Sequence, residues 1–148
     1  MTEKSWDTLY EKYPDLFVNK DKTPMQSPMS FGIEVNCGWY DIISSVCYQI
    51  TNREKNIKSN LEYCGKNNLD PPELEAHYMP VTFDQVKEKY GGLRIYFSGG
   101  DDYVDGLISM AEEMSYKICE RCGCPGSPNK QGWIMTLCDK CREDLVRG

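Results

Sequence analysis

The chain has 148 residues, with 17 basic and 23 acidic side chains, a net charge of −6, eight cysteines and one histidine. This length is enough to bury a real core, and 40% apolar content with 11% aromatic residues excludes a disordered polymer. The negative balance argues against nonspecific binding to DNA or anionic membrane, which needs a surplus of Lys and Arg.

The opening residues, Met1-Thr2-Glu3-Lys4-Ser5-Trp6-Asp7, lack a basic stretch followed by an apolar run, and nothing later approaches the ~18 consecutive apolar residues of a membrane span. A soluble protein of the cytoplasm is expected. Trp6, Leu9, Tyr10 and Tyr13 recur at steps of three and four, predicting a docking helix over 5–17 that Pro14 breaks. Residues 18–28 are polar, carry two prolines and read as a surface loop. Phe31-Gly32-Ile33-Glu34-Val35 alternates as a short strand does, and Cys37-Gly38 supplies a turn. Ile42, Ile43, Val46, Cys47 and Ile50 then form one stripe of a helix over about 39–53.

Residues 52–80 contain Pro71-Pro72 and Pro80 and read as a long loop, with a helical turn near 73–78. Asp84 is placed to cap a short helix that reaches Tyr90 and ends at Gly91-Gly92, after which residues 93–97 form a strand. Ser98-Gly99-Gly100-Asp101-Asp102 is a turn that delivers a helix cap. Val104, Leu107, Ile108, Ala111, Met114 and Ile118 define a helix over about 102–118. The expected fold is α+β: a small mixed body over 1–118 followed by a zinc ribbon over 119–148.

Cys119, Cys122, Cys138 and Cys141 form two C-x2-C pairs, a spacing that closes a tetrahedron of thiolates about a zinc ion. Four protein sulfurs leave no coordination position for water, so the Zn2+ is structural and the ribbon folds only around it. The competing reading is two disulfides or free thiols, of which disulfides are rare in a reducing cytoplasm. Cys124 is an additional thiol that could compete as a ligand, but its use in place of Cys122 would break the x2 spacing, which favours a bystander in the turn. His77, the one histidine, is a loop residue with no catalytic partner nearby in sequence. Trp133, Ile134 and Leu137 are expected on a strand that packs the ribbon against the body.

A second motif runs from Val86 to Asp102 and interleaves Lys87, Lys89 and Arg94 with Tyr90, Tyr96 and Phe97 between two Gly-Gly pairs. On a strand, Arg94 and Tyr96 share one face while Leu93, Ile95 and Phe97 take the other. That polar face suits a nucleobase and phosphate, or simply a solvated surface with a snorkelling arginine. Asp101, Asp102 and Asp105, with Glu34, offer carboxylates for a magnesium site of nuclease type, although helix capping explains the aspartates more simply.

Phe31-Gly32-Ile33-Glu34, Gly38-Trp39-Tyr40-Asp41-Ile42-Ile43, the segment from Val86 to Tyr96, Cys119-Glu120-Arg121-Cys122-Gly123, Gly132-Trp133 and Thr136-Leu137-Cys138 together resemble a family of small uncharacterised proteins of bacteriophages and prophages. The resemblance spans about residues 31–141 and implies action inside a bacterial cell. The expected function is non-enzymatic: binding a host component, of the class of host defence systems, and inhibiting or redirecting it. The expected contact residues are Lys87, Lys89, Tyr90, Arg94 and Tyr96, with Trp39 and Glu34. The alternatives are sequestration of a nucleotide or cyclic-nucleotide signal, and a metal-dependent nuclease or phosphodiesterase.

Overall fold

The structure, a computed structural model, describes residues 5–147. Helix α1 (Trp6–Lys12) starts at Ser5, whose hydroxyl accepts from the Asp7 amide, and stops before Pro14. The helix is shorter than 5–17, because Pro14 ends it and 14–17 turn so that Leu16 and Phe17 enter the core. Residues 18–28 are more than a surface loop: Asn19 and Ser27 are buried, and the Asn19 side chain donates to the Phe83 carbonyl at 3.0 Å.

Strand β1 (Ile33–Glu34) is followed by a 3-10 turn, Cys37–Trp39, and helix α2 (Tyr40–Lys66). The expected end of that helix near residue 53 is corrected: it continues for three further turns through the segment read as a loop. Ile57, Leu61 and Cys64 prolong its apolar stripe, but charged neighbours dilute the signal where the helix overhangs the core. The short helix α3 (Glu73–Ala76) and its flanks pack against that overhang, and Asp15 borders it on the side of α1.

The helix expected over 84–90 is a strand. β2 (Thr82–Lys89) and β3 (Gly92–Ser98) form an antiparallel hairpin, and β1 adds to β2 in parallel. A bulge between Phe83 and Gln85 turns Phe83 and Val86 to the same core face, three residues apart. That spacing imitates a helix. Tyr90 (φ 52°) and Gly91 (φ 81°) form the two-residue turn, with positive φ at both positions.

Helix α4 (Asp102–Ser115) begins at Asp101, whose carboxylate accepts from the Val104 amide at 3.2 Å. It covers the outer edge of β3: the Leu93 amide donates to the Ser115 hydroxyl (2.9 Å) and the Ile95 amide to Glu112 (2.9 Å). The core between sheet and helices holds Trp39, Ile43, Val46, Ile50, Phe83, Val86, Leu93, Val104 and Ile108. The C-terminal segment has a minimal hairpin, β4 (Ser127–Pro128) and β5 (Thr136–Leu137), and helix α5 (Asp139–Arg147). The architecture is α+β, and among the described residues no helix is long and apolar enough to cross a membrane.

Candidate metal centre and adjoining surface

The ligand sulfurs of Cys119, Cys122, Cys138 and Cys141 all lie within 4.8 Å of one another, and Cys122 and Cys138 are 3.6 Å apart. A tetrahedral site with metal–sulfur bonds of about 2.3 Å places sulfurs about 3.8 Å apart, so the four fit one ion. The first pair sits on a tight knuckle closed by the Gly123 amide on the Cys119 carbonyl (2.9 Å), with Gly123 at φ 83°. The second pair is not on a matching knuckle. Cys138 immediately precedes α5 and Cys141 lies in its first turn, where the Cys141 amide donates to the Cys138 sulfur at 3.4 Å. Cys124 contributes its backbone, donating to Cys122 Sγ at 3.5 Å.

The electrostatics favour a cation. Burial pushes the Cys119 thiol up, but the amides of Cys138, Cys122 and Arg121 outweigh it and bring it down to about 6. Cys141 is pushed up to about 12, first by the Cys138 sulfur, then by burial and by the sulfurs of Cys122 and Cys119. Sulfurs this crowded cannot all ionise unaided, and a divalent ion removes that conflict.

The cysteine segment is joined to the body at two places. The Gly38 amide donates to the Glu120 carbonyl (2.7 Å), the Asn36 amide to Glu120 Oε2 (3.1 Å), and the Trp39 indole N–H to the Ile118 carbonyl (2.8 Å). A side chain at Gly38 has no room, since a Cβ there would lie 2.2 Å from the Cys119 carbonyl oxygen. At the other end, the Thr136 hydroxyl donates to the Gly91 carbonyl, and a Cβ on Gly91 would meet Ile134 at 2.8 Å.

The expected contact residues separate into three groups. Register places Glu34, Lys87 and Arg94 in one row across the three strands, with Tyr96 on the same face of β3. Arg94 is not a free cation there: it donates to the Tyr116 hydroxyl (2.8 Å) and to the Leu93 carbonyl (2.8 Å). Tyr90 and Lys89 stand at the hairpin tip, with the Lys89 ammonium 5.7 Å from the centre of the Tyr90 ring. Trp39 is corrected outright, being 0% exposed in the core. Trp133 is corrected in the opposite sense: it is 80% exposed on a loop before β5, while Leu137 packs inside.

The candidate magnesium residues are not gathered. Among the described residues, the four cysteines are the one group of three or more potential ligands that converges. Asp101 caps α4 with one oxygen and pairs with Arg53 through the other at 2.9 Å. His77 caps the end of α3 and is not part of the cysteine group.

Residues that the sequence reading passed over line two adjoining clefts beside the hairpin tip. Glu88 and Trp133 border both, one cleft of about 330 Å3 and one of about 310 Å3, and Glu120 borders the second. Burial, partly offset by the Asn36 amide and reinforced by the charge of Glu88, raises the Glu120 carboxyl above its usual range. The available signal was an acid inside a tight C-x2-C knuckle, where a solvated residue is the ordinary choice. Comparison of the chain with protein families, with curated proteins and with solved structures gives no match.

Proposed function

We propose that this is a non-enzymatic, zinc-stabilised phage protein that acts in the cytoplasm of a bacterial host. It binds a host component, of the class of host defence systems, and inhibits or redirects it. The observation that carries this reading is the division of labour around the cysteines. Four sulfurs complete a tetrahedral shell, so the ion holds structure, and the segment it fixes carries Trp133 out beside the hairpin tip with its Tyr90. Large exposed aromatics on rigidly tied loops suit recognition. The phage setting rests on the motif resemblance set out above, and zinc on the all-sulfur donor set.

The test is purification of the tagged protein from infected cells, with proteins and small molecules identified in the same eluate. A stoichiometric host protein whose activity changes on binding is expected. A co-purifying nucleotide in its place overturns the protein-target reading. Magnesium-dependent turnover of nucleic acid or a phosphodiester, abolished by Asp101→Ala or Glu34→Ala, overturns the non-enzymatic one.

A further inference from the structure

We infer that the paired clefts between the hairpin tip and the Trp133 loop bind an arginine side chain presented by a basic segment of a partner protein. This inference rests on the binding role proposed above and names the chemistry of the partner.

The aromatic part is built and held. Tyr90 is 74% exposed although it occupies a left-handed conformation at φ 52°, which a bulky residue adopts rarely and which asparagine or glycine would adopt without strain. Burial does not explain a tyrosine there. Trp133 is likewise exposed, yet its loop is fixed: the Asn129 side chain donates to the carbonyls of Gln131 (2.6 Å) and Trp133 (2.9 Å) and accepts from the Met135 amide (2.7 Å). The buried bond from Thr136 to Gly91 then locks this loop to the hairpin tip. Two aromatic side chains therefore face one cleft of about 330 Å3, near the lower end of the size range of ligand pockets, about 300–1,000 Å3.

The charged part adjoins it. Glu34, Glu88 and Glu120 line the second cleft with Trp133. Glu88 is positioned by the Gly91 amide, which donates to its Oε2 at 2.7 Å. Glu120 is only 5% exposed, and its Oε2 accepts from the Asn36 amide at 3.1 Å. Its carboxylate borders the cleft and has acceptor sites beyond the one that the Asn36 amide fills, so a donor entering the cleft can engage it. Of the charged residues bordering the two clefts, Lys89 is the one cation, and its ammonium lies toward the Tyr90 ring. The flat aromatic faces, an apolar wall and three carboxylates match a guanidinium on an aliphatic stem: the stem and plane lie against the rings, and the fork donates to the acids. The net charge of −6 draws such a segment in.

The test titrates the zinc-loaded 148-residue chain with a short glycine peptide carrying two arginines, and with the same peptide carrying citrulline, which keeps the shape and loses the charge. Arginine-dependent binding is expected. Trp133→Ala and Glu88→Gln should each weaken it roughly tenfold, while Glu62→Gln on α2 leaves it unchanged. Tyr90→Gly is the variant that separates recognition from folding: it relieves the backbone, so the melting temperature holds or rises while binding falls. Equal binding of both peptides, or unchanged binding in all three cleft variants, overturns the inference. A parallel purification from infected cells compares the wild type with the Trp133→Ala, Glu88→Gln double variant. If both retain the same host protein, the cleft assignment fails and the binding role stands. If the arginine peptide binds and neither form retains a host protein, the cleft stands and the role fails.

Discussion

The Thr136 hydroxyl donates to the Gly91 carbonyl across 2.6 Å, in a buried position that joins the cysteine segment to the turn of the central hairpin. Both ends of this bond are constrained. Gly91 has φ 81° and no room for a Cβ, and the Thr136 carbonyl accepts from the Glu120 amide at 3.0 Å. Thr136→Val keeps the shape and leaves the Gly91 carbonyl buried without its donor, a loss of about 1–3 kcal/mol. Thr136→Ser retains the donor and should recover most of that difference. Denaturant melts of the three forms decide it: equal midpoints for threonine and valine would remove the bond from the account of stability.

Metal removal should reach the body and not stop at the cysteines. The Trp39 indole donates to the Ile118 carbonyl, one residue before the ligand Cys119, and the Gly38 amide donates to the Glu120 carbonyl just after it. One zinc per chain is expected by elemental analysis. An apparent zinc-binding energy of about 10–16 kcal/mol is comparable with the ~5–15 kcal/mol stability of a whole domain. Chelation, Cys119→Ser or Cys138→Ser should therefore abolish the near-ultraviolet circular dichroism of the buried tryptophan as well as metal content. Cys124→Ser is the control, since the contact of Cys124 with Cys122 is made by its backbone amide. A chelated protein that keeps the signal of Trp39 would uncouple the two parts.

Arg94 was expected to meet a partner, and its surroundings give it work inside the fold. It donates to the Tyr116 hydroxyl, and its guanidinium lies 5.8 Å from the centre of that ring, which itself covers Gly92. Arg94→Ala should cost roughly 1–2 kcal/mol, with the lower part of the range set by partial exposure. A double-mutant cycle with Tyr116→Phe isolates the pair, and a coupling of about 1 kcal/mol is expected. A coupling near zero, together with lost partner binding in Arg94→Ala, would return this residue to a recognition role.

What the sequence made legible follows from where local rules and tertiary packing agree. Asp101 as a cap, the stripe of α4, the edge-to-core alternation of β3 and the four cysteines all follow from spacing alone, because each is a local pattern with one physical solution. The hairpin was hidden by two departures from the usual signals: the bulge that spaces Phe83 and Val86 like a helix, and Tyr90 standing where the turn prefers asparagine or glycine. The far half of α2 was hidden because its apolar residues Ile57 and Cys64 are buried outside the main core, beside short segments such as α3. Trp39 and Trp133 exchange the roles expected of them for a similar reason. An aromatic residue carries no local mark of burial, and long-range contacts decide which one is covered.

The neighbour that receives the far half of α2 supplies a pH signature. The Tyr78 hydroxyl donates to Glu54 Oε2 at 2.6 Å, and the Val81 amide donates to the same oxygen at 2.9 Å, tying the segment after α3 to the helix. Burial first, then the hydrogen bond to Glu54 and its charge, hold the Tyr78 phenol above its ordinary value of 10.0. The folded protein thus keeps a proton that the unfolded chain releases at about pH 10. The stability from this group is fully present below that pH and is lost as pH rises above it toward the folded-state value. Tyr78→Phe removes both the hydrogen bond and the linkage. It should lower stability at neutral pH by roughly 1 kcal/mol, because Glu54 keeps its bond from Val81. Above about pH 10 it should also show a shallower decline than the wild type. Denaturant midpoints measured from pH 8 to 11 test both parts. Parallel declines in the two proteins would mean that Tyr78 ionises as freely in the folded chain as in the unfolded one, and that its bond to Glu54 contributes nothing to holding α2 and the segment after α3 together.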